Sequence, residues 1–380
     1  MAMRDRLPLA RPEMGEAELQ AVRQVIESGW VTQGPMVAEF ERSVAKATGA
    51  MEGVAVSSCT TALHLALIVS GIKTGDEVIV PSMSFIATAN AVVHAGATPV
   101  FAEVNPVTFN LDPLDVEQRV TQRTRAILLV HQLGLPADID VFSKLAQDHN
   151  LVLIEDAACA IGSTYQGTPI GGHGNLTCFS FHPRKLLTTG DGGMIMLPRP
   201  EHGPLLRRLR QHGMSVSDVH RHSSETLAQE QYLEIGYNYR LTDIQAAVGI
   251  AQLKRLPKMI EARRLRASWY DEMLGDIPWI GTPPAPPDRT WNVQTYTVRL
   301  DGHDSARRDR VMQAMLSDGI ATRAGVMTAH RQPAYLSLGA SLPASETASD
   351  GSMAIPLFND LTETEAERVV EALVSASKSA

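Results

Sequence analysis

Three short stretches carry side chains whose types and spacing could do covalent or acid–base chemistry. In FSFHPRKLLTTGDGG, residues 179–193, Lys185 stands between an apolar run and a cluster of turn residues. Such a lysine is either a solvated charge at a strand end or, if desolvated, an amine able to form a Schiff base with a carbonyl. LVLIEDAACA, residues 151–160, ends an apolar run in the acids Glu155 and Asp156. Side chains alternate along a strand, so one acid should face a crevice and the other should face away. The inward carboxylate could keep a heterocycle nitrogen protonated; the bland reading is a helix cap or a surface acid. In SSCTTALHL, residues 57–65, small hydroxyl residues open a helix after a strand. The unpaired N–H groups and positive dipole end there suit a phosphate, although Ser and Thr are also ordinary N-caps.

These stretches need a scaffold that brings them together, and the apolar runs supply one. GVAVSS, EVIVPS, TPVFAEV, AILLVHQ, LVLIEDAA, LTCFSF and GGMIMLP read as seven strands, separated mostly by helical patterns such as TALHLALIVSG and FIATANAVVHAG. Near-continuous apolar strands alternating with helices predict an α/β fold with a mainly parallel sheet covered on both faces. The sixth and seventh runs are joined by a loop too short for a crossover helix, which predicts an antiparallel strand. Lys185 lies in that loop. Ligands of open α/β sheets bind outside the carboxyl ends of the strands, where SSCTT, PSMSF, EDAAC and SFHPRK all fall. A phosphate site, an acid for a ring nitrogen and a desolvated lysine are together what a pyridoxal 5′-phosphate (PLP) enzyme requires.

Beyond about residue 250 the pattern changes to a long polar helix, the proline-rich TPPAPPDR, a strand (TYTVRL) and two amphipathic helices, DSARRDRVMQAMLSDG and ETEAERVVEALVSA. This predicts a large PLP-binding domain over 1–255 and a smaller C-terminal α/β domain over 256–380, with the N-terminal segment able to pack on the latter.

Composition narrows the class. With 44% hydrophobic and 20% charged residues in 380, the chain is globular, and its net charge of −8 argues against nucleic acid as a partner. The short RRLR around Arg207 reads as a solvated helix face. Three dispersed cysteines form neither a disulfide framework nor metal-ligand spacing. With no signal peptide and no run long enough to span a membrane, a cytoplasmic location is expected. His64 reads as a packing residue, the histidines around His220 as a surface loop, and His182 as a residue that could sit beside a cofactor.

In order along the chain, SSCTTALHLAL, PSMSFIATANAV, AILLVHQLGLPADID, LVLIEDAACAIG, CFSFHPRKLLTTGDGG, LRQHG and GYNYRLTDIQAAVGIAQL resemble the DegT/StrS family of PLP-dependent nucleotide-sugar aminotransferases. The resemblance runs from GWVTQGP to AIPLFNDLTETE. It implies a type I aminotransferase fold, a homodimer with shared active sites, and transfer of an amino group from L-glutamate to a nucleotide-linked keto sugar, expected to be a 4-keto-6-deoxy sugar. A 3-keto-sugar or ketocyclitol acceptor is the close alternative, and a non-catalytic regulatory or binding protein with the same fold is the alternative of another class. By position, Lys185 matches the Schiff-base lysine and Asp156 the partner of the pyridine nitrogen. Phe85 matches the aromatic that stacks on the ring. Cys59, Thr60, Thr61 and Ser180 match the phosphate-binding elements, and Asn238 an asparagine that reaches the phosphate from the other subunit. His330 matches a histidine near the sugar, and Arg240 is a candidate for a diphosphate.

Three positions depart from the family pattern. Cys159 stands where Gln or His commonly contacts the ring hydroxyl, Cys59 replaces a usual glycine, and Asp191 replaces a common Glu. Lys185 is intact, which argues against both the family's dehydratase branch, where this position holds a histidine, and the non-catalytic reading.

Overall fold

A computed structural model describes residues 6–216, 229–302 and 304–379; the stretch around His220 lies outside the described residues. Its strands are β1 (Glu52–Val56), β2 (Glu77–Pro81), β3 (Thr98–Ala102), β4 (Thr124–Val130), β5 (Val152–Asp156), the short β6 (Thr164–Tyr165) and β7 (Thr168–Pro169), β8 (Leu176–Ser180), β9 (Gly193–Leu197), β10 (Ile280–Gly281), β11 (Arg289–Thr290), β12 (Tyr296–Leu300), β13 (Arg323–Ala324) and β14 (Ser352–Ile355). The helices are α1 (Glu16–Ser28), α2 (Pro35–Thr48), α3 (Cys59–Val69), α4 (Ala87–His94), α5 (Pro113–Gln118), α6 (Ile139–Asp148), α7 (Gly203–Leu209), α8 (Asp243–Leu274), α9 (Ser305–Ser317), α10 (Pro343–Asp350) and α11 (Glu363–Ser379).

All seven apolar runs become strands of one sheet, in the order β1-β9-β8-β5-β4-β2-β3. Strands β8, β5, β4, β2 and β3 pair in parallel, while β9 runs antiparallel to both β8 and β1. The antiparallel step falls where the short loop requires it, because a hairpin-length connection cannot carry the chain back to the starting edge of a sheet. The strands are dark to solvent on both faces. One face packs with α2, α6 and α8 around Phe40, Phe142 and Phe179, and the other with α3, α4 and α7 around Leu63, Leu65 and Val92.

The long helix α8 begins ten residues before the polar pattern that marks it in the sequence. Thr242 caps it, accepting the N–H of Gln245 at 3.2 Å. Its first turns are apolar because they are buried among α1 and α2, so the polar stretch is only its exposed continuation. The predicted boundary at 255/256 falls inside this helix, two residues before Pro257. Its far end joins a second core of β12, β14, α9 and α11, built around Tyr270, Tyr296 and Phe358, on the four-stranded antiparallel sheet β10-β12-β14-β13. The N-terminal segment crosses to this side. Leu7 bridges Ile320, and Leu9 accepts the N–H of Leu357. Among the described residues no helix is long and apolar enough to cross a membrane.

Two buried carboxylates hold elements together. Asp243, at the head of α8, accepts the N–H groups of Gly34 (2.8 Å), Met36 (3.1 Å) and Val37 (2.9 Å) and so serves as the N-terminal cap of α2. Glu155 accepts from Asn175 at 2.8 Å and meets His131 Nε2 at 2.9 Å. His131 Nδ1 accepts the N–H of Ala137, which leaves Nε2 as the donor to Glu155. Burial alone would raise the Glu155 pKa, but His131 and Asn175 outweigh it and hold it below the ordinary 4.5.

Asp243→Ala leaves three helix-terminal N–H groups without their acceptor and should cost about 2 kcal/mol in urea unfolding. Because the folded pKa of Glu155 is depressed, its contribution is complete above pH 4.5 and is lost as pH falls through the folded value. Glu155→Gln should therefore be less stable at neutral pH by about 1–3 kcal/mol. Its stability should also fall less steeply on acidification below pH 4.5, measured by urea midpoints across pH.

Candidate active site

The carboxyl ends of β5 and β8, the start of α3 and the β13–β14 side of the second core enclose a cavity of about 580 Å³. That is ample for an aromatic cofactor with a small substrate. Lys185 lies in the β8–β9 loop, fixed by its N–H bonding to the His182 carbonyl and by the buried Gln294 side chain. Gln294 accepts the Leu186 N–H at 2.8 Å and donates to the Arg184 carbonyl at 2.7 Å. The Lys185 amine points inward and donates to Cys159 Sγ at 3.0 Å. Burial alone would lower its pKa. The sulfur of Cys159 and the Asp156 carboxylate reverse that and hold it above the ordinary 10.5.

Asp156 is the last residue of β5, and the strand alternation turns it into the cavity while Glu155 goes to the His131 pair. Thr88 of α4 donates to one Asp156 oxygen at 2.9 Å and the Ala158 N–H to the other at 3.1 Å. Burial raises its pKa against these bonds and against Lys185. No salt bridge joins Lys185 to Asp156 among the described residues, so the carboxylate keeps acceptor capacity toward the cavity.

At the third wall, Ser58 caps α3 by accepting the Thr61 N–H. Cys59 and Thr60, the first two helical residues, line the cavity with N–H groups that no helical carbonyl can satisfy. Cys59 has no positive φ, so a side chain is tolerated where the family pattern has glycine. Its thiol pKa is pushed far up by burial and by Asp156, so it stays neutral. Gly193 explains how α3 comes so close: a Cβ there would lie 2.4 Å from the Ser58 carbonyl carbon and 2.6 Å from the Cys59 nitrogen. Ser180, ending β8, and Phe85, 61% exposed at the mouth, complete this wall.

Lys185, Asp156, Cys159, Cys59, Thr60, Ser180 and Phe85 thus share one cavity, with His182 and Asp191 also on its lining. Three residues expected at this site, Thr61, His330 and Arg240, do not line it, and Asn238 was expected only at the other subunit's site. Thr61 spends its hydroxyl in the helix cap, accepting the Ser58 N–H at 3.1 Å and donating to the Ser58 carbonyl at 2.8 Å. His330 is buried with both ring nitrogens engaged, on Ser82 and on Glu346 (3.0 Å), which makes it a packing histidine and not a cavity-facing one. Asn238 is exposed in an isolated bridge to Gln211, and neither it nor Arg240 lines this chain's own cavity. Thr88 and Gln294 went unnoticed in the sequence. Thr88 had a weak signal, as a hydroxyl on the helix following SMSF; Gln294 had none, because its partners lie more than a hundred residues away.

The cavity fits PLP: an inward amine, a buried carboxylate with capacity to spare, and a helix N-terminus for the phosphate stand on three walls. The model of the DegT/DnrJ/EryC1/StrS aminotransferase family matches residues 12–374. Solved structures agree over nearly the whole chain. The PLP form of Spr1654 from Streptococcus pneumoniae, assigned as a sugar aminotransferase, is 28% identical with a TM-score of 0.91, covering 98% of this chain and 99% of that one. S. venezuelae DesV, solved with a ketimine intermediate, is 34% identical with a TM-score of 0.89 and the same coverage. The sugar aminotransferase CalS13 from Micromonospora echinospora is 30% identical with a TM-score of 0.88, covering 97% of this chain and 99% of that one.

Gly193→Ala should displace the start of α3, since the new methyl meets backbone that cannot rotate away. PLP affinity, followed by absorbance during dialysis, is expected to fall about tenfold or more, ~1.4 kcal/mol.

Proposed function

The chain belongs to the DegT/DnrJ/EryC1/StrS aminotransferase family and is a PLP-dependent sugar aminotransferase, and on that premise we propose that it moves an amino group from L-glutamate to a nucleotide-linked keto sugar, a 4-keto-6-deoxy sugar. The observation that carries the assignment of roles is the inward Lys185 amine sharing one buried cavity with Asp156 but not ion-paired to it. Lys185 is the covalent anchor. Asp156, oriented by Thr88 and Ala158, would hold the ring nitrogen protonated, and the α3 N-terminus with Ser180 would hold the phosphate. Phe85, on the cavity lining, would cover the ring face. Bound there, PLP supplies an electron-accepting ring and a carbonyl carbon that takes up and hands on the amino group.

The Lys185 amine, in its neutral form, would be the group placed to take the proton from the donor α-carbon. The apolar walls around Leu63, Val130 and Met327 exclude water from that transfer. Cys159 keeps Nζ on this path with a single soft contact, which the amine can leave at small cost.

A homodimer accounts for the residues that miss their own cavity. Asn238 is exposed, and beside it Tyr232, Leu233 and Ile235 (93%) expose a run of large apolar side chains. A second subunit covering this run would bring Asn238, with Arg240, to its partner's cavity.

The purified protein should show a visible cofactor band that bleaches with L-glutamate and returns with a nucleotide-linked keto sugar. Lys185→Ala should lack the wild-type band and lose activity by at least roughly 10²–10⁴-fold, the range of proton-transfer catalysis alone. A wild-type protein that stays colourless after incubation with PLP would sink this assignment.

A further inference from the structure

Two arginines at the cavity rim have no counter-charge. Arg184 precedes the anchoring lysine in the β8–β9 loop, and Arg323 reaches the same cavity from β13, on the other side. Both side chains are exposed, and among the described residues neither makes an ion pair or a side-chain hydrogen bond. Other arginines of this chain are tied down: Arg331 to Asp350 at 2.7 Å, Arg289 to Asp138 at 2.7 Å and Arg210 to Glu41 at 2.5 Å. The two rim residues are close enough for each charge to oppose the other, since burial and then Arg184 both lower the Arg323 pKa. The lining carboxylates cannot relieve them. Asp156 is buried and engaged with Thr88 and Ala158, and Asp191 accepts the Gly192 N–H and pairs with neither arginine.

The supports of both arginines are rigid. Gln294 clamps the backbone on both sides of Lys185, and His182 Nδ1 accepts the Arg184 N–H at 3.2 Å. Arg323 pairs in register with Ala354, itself on the cavity wall. A protein of net charge −8 thus holds, among its described residues, two unpaired guanidinium groups from different elements on the lining of the cavity that contains its reacting amine. Two planar forks converging from different elements match a doubly coordinated oxyanion.

We propose that Arg184 and Arg323 form a substrate oxyanion site, one guanidinium from each side of the cavity, which takes a carboxylate of the amino donor or a phosphate of the acceptor and closes the entrance over it. This rests on the function proposed above and extends it to the residues that select the substrate. Among the described residues neither arginine side chain bonds to α3 or β5, so their loss should leave the cofactor in place.

The test is calorimetric titration of PLP-loaded protein with two probes that cannot react: glutarate, a dicarboxylate without an amino group, and UDP, a nucleoside diphosphate without a sugar. Wild type, Arg184→Ala, Arg323→Ala and Arg323→Lys are compared, with thermal melts and the visible band as controls for folding and cofactor. At least one probe should lose tenfold or more in affinity in both alanine variants, with part of the loss restored by Arg323→Lys. Loss for glutarate assigns the site to the donor carboxylate, and loss for UDP to the acceptor phosphates. With the band intact, affinities within twofold of wild type for both probes overturn the arginine site and leave the enzymatic assignment standing. A wild-type protein without the band overturns both.

Discussion

A buried amine and a buried carboxylate share one cavity here without neutralising each other. Lys185 gives its hydrogen bond to the Cys159 sulfur, and Asp156 takes its bonds from Thr88 and the Ala158 N–H. Had the two collapsed into an ion pair, each would have been satisfied and neither available for a ligand; a buried pair of that kind is costly to break. Keeping them apart requires other partners at fixed positions, and those partners come from α4 and from the turn after β5, while Lys185 itself comes from the loop after β8. The rest of the large sheet can be read as the means of holding these three points in register.

The parallel core of the sheet explains why the points converge. Parallel strands put their carboxyl ends on one edge, and β5 and β8 are neighbours there, so Asp156 and the Lys185 loop meet without any long excursion of chain. Strand β9 then reverses direction and brings Gly193 under the start of α3. The absence of a side chain at that residue lets helix and hairpin pack backbone to backbone, which sets the depth of the α3 N-terminus relative to Lys185. The second core closes the cavity from the opposite side through β13 and β14, and the N-terminal segment adds Leu9 and Ala10 to the wall.

Electrostatics divides the molecule. The protein as a whole is acidic, yet the cavity rim carries Arg184 and Arg323 without counter-charges, and the interior carries Lys185 and the positive end of α3. Low-dielectric walls focus such a field, so an anionic substrate is drawn to a cavity whose local charge opposes the net charge. The cysteines fit the same division. Cys59, Cys159 and Cys178 all lie around Lys185 and Asp156, where burial and the carboxylate keep the thiols of Cys59 and Cys178 neutral, polarisable packing groups.

Local pattern by itself determined the seven strands, the antiparallel turn before β9, the two C-terminal helices and the inward residues at strand ends. Each depends on periodicity and loop length within about ten residues, and the family resemblance supplied roles for Lys185 and Asp156 that spacing alone left open. The same reading missed the apolar first turns of α8, because a helix buried all round has no amphipathic face to detect. The resemblance placed Thr61 and His330 at the site by position. Only the tertiary structure decided that the Thr61 hydroxyl closes a helix cap, that His330 is consumed between Ser82 and Glu346, and that Gln294, Thr88 and Arg323 reach the cavity. A side chain's partners are chosen by what the fold brings within about 3 Å of it, and groups separated by a hundred residues or more leave no mark on each other's local sequence.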